Sequence, residues 1–267
     1  MDWHAMAAPW LLVEAEIEDA HGTVLDALMA RAKPVPGARV LDIGIGSGSS
    51  TLAAARAVGP DGQVVGVDIS PAFAERAAAR VPSNVTVVNA DAGSHAFEAE
   101  AFDSAISLFG VMFFPDTVRA MANIRPALRP GGTFTFASWA APHANPWFGL
   151  PAKAAAEVMG PAAARDPLAP GPFAFADSDR VLGLLAEAGW TPAVETVDLH
   201  LTPAGSVADV ARLQTIIGAA AMRMNDVGAD DATRAKVHAA LETALTAWQV
   251  GPDIRVPARI HIYTATA

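Results

Sequence analysis

The sequence predicts a doubly wound α/β protein with a mostly parallel sheet, and three observations carry the prediction. Short apolar runs recur between Val40 and Trp139, each separated from the next by a stretch of helical character. The first run leads directly into glycines at every second position, Gly44, Gly46 and Gly48. The second and third runs end on carboxylates, Asp68 and Asp91. Strands that alternate with helices fold into a parallel sheet, and a ligand then sits beyond the carboxyl ends of its strands.

The stretch Val40 to Ser50, VLDIGIGSGSS, sets the frame. Val40, Leu41 and Ile43 form a buried strand with Asp42 near its end, and the glycines make a tight loop. Glycine tolerates positive φ and has no Cβ, so the loop amides can approach a ligand closely. Ser49, Ser50 and Thr51 can cap a helix from Thr51 to Val58 that stops at Gly59-Pro60. Strand, loop and helix N-terminus together make a cofactor cradle.

Ahead of the cradle, Trp10 to Arg31 has the spacing of one amphipathic helix, with Ile17, His21, Val24 and Leu28 on one face. Lys33-Pro34-Val35-Pro36-Gly37 ends it. This helix is expected to pack on the sheet or lie over the cofactor. After the cradle, Gln63 to Asp68 is the second strand, and Ser70-Pro71 starts a helix to about Val81. Asn84 to Ala90 and Phe102 to Phe109 are the third and fourth strands. A helix from Asp116 to Leu128 and the turn Arg129-Pro130-Gly131-Gly132 lead to the fifth, Thr133 to Trp139.

Beyond Trp139, prolines punctuate a long connection in which Ala152 to Met159 is a short helix. Asp177 or Ser178 starts a helix ending at Gly189, and Pro192 to Leu201 is a strand. Ser206 with Asp209 marks a helix start, and that helix carries Val207, Val210, Leu213, Ile217 and Met224. A second helix carries Val237, Leu241, Leu245 and Trp248 before the last strand, Arg259 to Ala265. The expected organisation is an N-terminal helical segment and candidate lid (1–37), a cofactor-binding core (38–140), a proline-rich connection (141–176) and the C-terminal half of the sheet (177–267). Cap helices at about 206–250 are inserted in that last part, over the active face. The sheet is expected to have seven strands.

At 267 residues, 52% hydrophobic and 17% charged, the chain can bury one large core. The charge-poor stretch from Arg129 to Lys153 is interrupted by prolines and glycines, so no membrane span is expected. The start, MDWHAMAAPW, lacks a basic leader, and a cytoplasmic location is expected. A net charge of −10 argues against nucleic acid as a partner. The chain has no cysteine, and its 7 histidines are scattered, so no metal is expected.

A glycine loop alone does not choose a ligand. The dinucleotide fingerprint G-x-G-x-x-G would need its third glycine where Ser49 stands, which weakens a dehydrogenase reading. DIGIGSG, the strand-ending Asp68, Asp91-Ala92, the FD of the fourth strand and LRPGG before the fifth are, in order and spacing, similar to the class I S-adenosylmethionine-dependent methyltransferases. The likeness covers roughly Arg39 to Trp139. FGVMFFPD, NPW and PGPFAFAD further resemble a bacterial subgroup related to the quinone-pathway C-methyltransferases.

The resemblance implies a Rossmann-like methyltransferase fold and S-adenosylmethionine as cofactor, with S-adenosylhomocysteine as product. It implies that Gly44, Gly46, Ser47 and Gly48 lie against the methionine and ribose, with Asp42 towards the amino end. Asp68 would accept from both ribose hydroxyls, with Ile69 and Ser70 beside it, Ile69 against the adenine. Asp91 and the Ala92 amide would meet the adenine, and the carbonyls of Ser107 and Leu108 the ammonium group. Leu108 stands where many members of the subgroup carry Arg, which changes the polarity offered to a substrate, and Ile45 replaces a frequent Cys.

The expected reaction is in-line methyl transfer to a small-molecule acceptor whose atom type stays open. The alternatives are an NAD(P)-dependent oxidoreductase and a catalytically silent S-adenosylmethionine-binding protein. Such transfer needs alignment and exclusion of water, and a base only if the acceptor must lose a proton. His143 and His95 are the candidate bases, with His4 a third if the N-terminus folds over the site. Phe109, Phe113, Trp147 and Trp10 are the candidate substrate pocket, drawn from an aromatic stock that also holds Trp3, Phe114, Trp139 and Phe148.

Overall fold

Val40, Leu41, Asp42 and Ile43 are all buried, as expected of a central parallel strand covered on both faces. The computed structural model describes residues 2–163 and 166–267; Met1 and two residues of the proline-rich connection lie outside the described residues. In chain order the elements are α1 (Trp3–Leu11), α2 (Glu14–Ala32), β1 (Arg39–Ile43), α3 (Ser49–Val58), β2 (Gln63–Asp68), α4 (Pro71–Ala78) and β3 (Val85–Asn89). There follow β4 (Phe102–Leu108), α5 (Thr117–Ile124), β5 (Leu128–Trp139), α6 (Pro146–Met159), α7 (Ser178–Glu187) and β6 (Thr191–Leu201). The last elements are α8 (Val207–Ile216), α9 (Gly218–Asp226), α10 (Asp231–Thr246), β7 (Gln249–Val250), β8 (Asp253–Ile254) and β9 (Val256–Thr266).

The main sheet has seven strands in the order β3-β2-β1-β4-β5-β9-β6. β1 to β5 are parallel, and β9 runs antiparallel between β5 and β6. Strand order reverses between β1 and β4, which puts the ligand crevice beyond the ends of those two strands. Phe134, Phe136 and Tyr263 fill the core of the β5–β9 half, where the Phe136 and Tyr263 rings stack at 4.9 Å. Asp103 of β4 accepts from the Arg39 amide at 2.7 Å and pairs with Arg129, so the FD and LRPGG motifs brace the amino edge, opposite the crevice.

Several boundaries differ from the sequence expectation. The first helix is two helices, broken at Leu12-Val13, because the two-residue turn there lets α1 fold back onto α4. Ser49 to Thr51 do not cap α3: its N-cap is Gly48, with φ of 100°, and no side chain caps it. The cap helix with Val207 and Met224 is also two helices, parted where Gly218 takes a φ of 86°. The Ser206–Asp209 capping box is formed as expected. α6 starts at Pro146, earlier than Ala152, with proline tolerated at the first position and Pro151 inside. Strand β5 begins at Leu128, ahead of the Gly131-Gly132 turn, with an irregular register opposite Phe102 and Ser104. No helix among the described residues is long and apolar enough to cross a membrane.

Acidic residues strap α2 to its surroundings. Glu14 pairs with Arg76 and Glu18 with Arg80, both from α4 and its end, while Glu16 pairs with Arg212 of α8 at 2.6 Å. Burial works to raise the Glu18 pKa, but hydrogen bonds from Arg80 and Ser47 outweigh it and hold the carboxyl below its usual range.

Candidate functional site

Three glycines follow β1, and the structure gives each a different task. Gly44 has φ of 71°, and a Cβ there would lie 2.9 Å from the Gly110 Cα, so the loops after β1 and β4 touch backbone to backbone. Gly48 packs on Ala77 of α4, 3.3 Å from where its Cβ would be. Gly46, with φ of 54°, has no atom within 4 Å of a Cβ position and faces open space. Gly46 is therefore the point where a ligand can meet the loop backbone. Ile45 sends its side chain inward over Gly66 of β2, 3.0 Å from a Cβ position there, so this residue contributes packing as well as backbone.

Asp42 is completely buried. Its Oδ2 accepts from Ser50 Oγ and Thr51 Oγ1, each at 2.7 Å, while Oδ1 has no partner. Burial raises its pKa to about 6, with the nearby Asp68 adding to the rise and the two hydroxyls opposing it. Ser50 and Thr51 thus serve the carboxylate at the foot of the loop.

Asp68 ends β2 beside the loop. Its Oδ2 accepts from the Gly46 amide at 2.9 Å and its Oδ1 from the Ser70 amide at 2.8 Å. Burial raises its pKa; the two amides and the nearby His4 act the other way. Each oxygen retains a further lone pair for a ligand donor. Ser70 Oγ is buried without a partner, and Ile69 next to it is 45% exposed, a large apolar face at the strand end. Ser47 Oγ donates to Glu18 Oε1 at 2.7 Å and its carbonyl accepts from Arg80, so Ser47 ties the loop to α2 and α4.

On the β3 side, Asp91 is exposed and accepts from the Gly93 amide at 2.8 Å. Ala92 is buried, and its carbonyl accepts from Asn123 Nδ2 of α5, which also reaches the His95 carbonyl. Asn123, which sequence reasoning passed over, pins this loop. The His95 ring rests edge-on against Phe97, at 4.8 Å.

At the end of β4, Ser107 is buried and its Oγ accepts from the Gly110 amide at 3.1 Å. Leu108 is partly buried against the core. Phe109 has φ of 64°, a left-handed backbone that a phenylalanine rarely adopts and that marks stored strain. Its ring stacks on Trp139, the last residue of β5, at 4.2 Å and 10°. The His21 ring of α2 lies 5.4 Å from Phe109 and 5.6 Å from Trp139, and its Nε2 is buried without a partner. Burial lowers the His21 pKa to about 4. Nothing in the sequence distinguished His21 from an ordinary residue on the packed face of a helix.

Over this edge lies α1. Trp3 meets Phe113 at 4.8 Å and Phe73 of α4 at 6.2 Å, and Trp10 meets Trp3 at 5.9 Å. Trp147 is buried, and its carbonyl accepts from Gln214 Nε2 of α8 at 3.3 Å, leaving the buried Gln214 Oε1 unpartnered. Asn145 of the NPW motif is a clamp: its amide donates to Ala140, Ala141 and Arg259 carbonyls and accepts from the Arg259 amide.

His143 goes elsewhere. It is exposed and lines a groove of about 340 Å³ with Asp198, His200 and Arg259. That groove belongs to β9 and β6, three and four strands from β1, or ~14 Å and more at the usual strand spacing. The fold thus brings Asp42, the glycine loop, Asp68, Ile69 and Ser70 together, with Phe109 and Phe113 adjoining. It does not bring His143 to them, because the chain turns at Asn145 towards β9. Chemically, the assembled edge offers a carboxylate for a diol, an apolar face for a flat ring and a buried carboxylate oxygen free to meet a cation.

Residues 40–132 match the family model described as a methyltransferase domain. The chain is 38% identical over 111 residues to the aklanonic acid methyltransferase DauC of Streptomyces, covering 40% of this chain and 50% of that protein. It is 37% identical over 98 residues to demethylmenaquinone methyltransferase of Staphylococcus aureus, covering 36% and 41%. The matches therefore span about half or less of these curated relatives. Among solved structures, the YcgJ protein of Bacillus subtilis shares the fold with a TM-score of 0.57 at 16% identity, over 92% of this chain and 98% of that one. Residues 40–132 thus resemble a methyltransferase domain, and they hold the first strands of the seven-stranded, mostly parallel sheet.

Proposed function

We propose that this protein transfers a methyl group from S-adenosylmethionine to a small-molecule acceptor. The observation that carries the proposal is the pairing of Gly46, open to a ligand, with Asp68, whose two oxygens are already oriented by the Gly46 and Ser70 amides. Two buried polar atoms without partners, Asp42 Oδ1 and Ser70 Oγ, fit a cofactor that carries both a cation and hydroxyl groups.

When bound, the cofactor supplies an electrophilic methyl group on a sulfonium. The protein's residues do the holding. Asp68 accepts from the ribose hydroxyls, Ile69 covers one adenine face, and Asp91 with the Ala92 amide borders the adenine edge. The carbonyls of Ser107 and Leu108, together with Asp42, hold the ammonium end. The aromatic residues Phe109, Phe113 and Trp139 exclude water and face the cation. We assign α1 the role of a lid, since Trp3 bridges Phe113 and Phe73 and His4 stands close enough to Asp68 to lower its pKa.

The curated relatives are named for aklanonic acid and for demethylmenaquinone, which favours a small organic acceptor. The net charge of −10 agrees with an acceptor other than nucleic acid, and a cytoplasmic location goes with this reading. The test is a labelled-methyl screen against phenols, quinone precursors, amines, thiols and carboxylic acids. Transfer to any one class supports the proposal. Persistent absence of transfer by protein that binds S-adenosylhomocysteine favours a silent binding protein instead.

A further inference from the structure

We propose that His21 is the proton-accepting group of the acceptor site and that the acceptor is a flat molecule of the phenol class, methylated on oxygen. The inference rests on the methyl-transfer reading above and deepens it. The His21 ring lies within 5.6 Å of both Phe109 and Trp139, the residues that close the ends of β4 and β5. That place adjoins the glycine loop, because Gly110, next to Phe109, packs directly on Gly44.

A buried imidazole nitrogen with no donor destabilises a fold, and a phenylalanine would fill the same space among the rings without that penalty. The strained backbone of Phe109 marks the same spot. Glu18, three residues earlier on α2, is committed to Arg80 and Ser47 and does not share the imidazole. The Phe109 and Trp139 rings, at the ends of β4 and β5, lie against it, and burial keeps the ring neutral, so a lone pair stays available at neutral pH.

The walls define the acceptor: aromatic faces for a flat ring and one hydrogen-bond acceptor for a hydroxyl. In the step, the acceptor O–H bond breaks and its proton goes to His21 Nε2. The oxygen lone pair forms the bond to the methyl carbon, and the carbon–sulfur bond breaks with its electron pair on sulfur. The histidine then returns its proton to water. His21 Nε2 is closed off within the fold, and in this proposal the acceptor reaches it when α1 swings about Leu12-Val13.

The test compares wild type with His21→Phe and His21→Gln. Titration with S-adenosylhomocysteine should give the same dissociation constant for all three, and thermal melting should show His21→Phe at least as stable as wild type. Methyl transfer to catechol should fall ~100-fold or more in kcat in both variants. Transfer to pentafluorophenol, ionised beforehand, should fall far less. Unchanged catechol turnover in His21→Phe, or equal losses on both acceptors, would overturn the assignment. So would a wild-type protein that methylates only amines, thiols or carboxylates. Failure of S-adenosylhomocysteine to bind wild type would instead bring down the methyl-transfer reading, and this inference with it.

Discussion

The two halves of the crevice treat polar groups in opposite ways. On the β1–β2 side, carboxylates meet backbone amides and hydroxyls of one strand–loop–helix unit and the strand beside it: Asp68 holds the Gly46 and Ser70 amides, and Asp42 holds Ser50 and Thr51. On the β4–β5 side, aromatic rings from α1, α2, β4's end and β5 close on one another, and His21 Nε2 is left unpaired among them. The first half is preorganised for a ligand of fixed chemistry by local backbone geometry. The second is built from side chains far apart in sequence, so it can change while the first stays the same.

The largest expected effect falls on the first half. Asp68→Ala should weaken S-adenosylhomocysteine binding at least ~100-fold, because charge-assisted hydrogen bonds contribute ~1.5–3 kcal/mol each. Isothermal titration checks it, and an unchanged affinity would remove Asp68 from the cofactor site. Next, the glycines can be set against each other. Gly44→Ala should cost ~2–4 kcal/mol of stability, from backbone overlap with Gly110 on top of a left-handed φ. Gly46→Ala should cost only the ~1–2 kcal/mol of that φ while losing cofactor affinity. Equal destabilisation of both variants in urea unfolding would erase the distinction between a packing glycine and a ligand-facing one.

A subtler contrast lies in pH. The folded pKa of Asp42 is raised to about 6, above its unfolded value, so its contribution to stability is present below about 4 and lost as pH rises through about 6. The folded pKa of His21 is lowered to about 4, so its contribution is present above its unfolded value and lost as pH falls towards about 4. Asp42→Asn should therefore gain on wild type as pH rises between 4 and 6, and His21→Phe should gain as pH falls from 6.5 to 4. Each gain should reach up to ~3 kcal/mol. Unfolding curves across that range decide it, and tilts of the same sign for both variants would contradict the assigned burial.

What could be read from the sequence follows the same division. The parallel sheet and the glycine loop after its first strand were legible because apolar runs, strand-end carboxylates and alternating glycines report local backbone geometry. The capping box at Ser206–Asp209 was legible for the same reason. The breaks at Leu12-Val13 and Ile217-Gly218 were not, since helical periodicity continues across both and only packing against distant elements bends the chain. Ser50 and Thr51 looked like caps because a hydroxyl near a helix start usually is one, yet the buried Asp42 takes both. His143 followed a strand end and so pointed to the crevice, but Asn145 draws its turn to β9. Glu18, His21 and Asn123 carried no signal at all, because their partners Arg80, Phe109 and Ala92 lie far along the chain.

The central claim is that the Gly46–Asp68 edge holds S-adenosylmethionine. Titrating one protein preparation in parallel with S-adenosylhomocysteine, NAD and NADP tests it most directly. The account predicts saturable binding of S-adenosylhomocysteine, weakened at least ~100-fold in Asp68→Ala, and no binding of either dinucleotide. Tight binding of NAD or NADP with none of S-adenosylhomocysteine would contradict it.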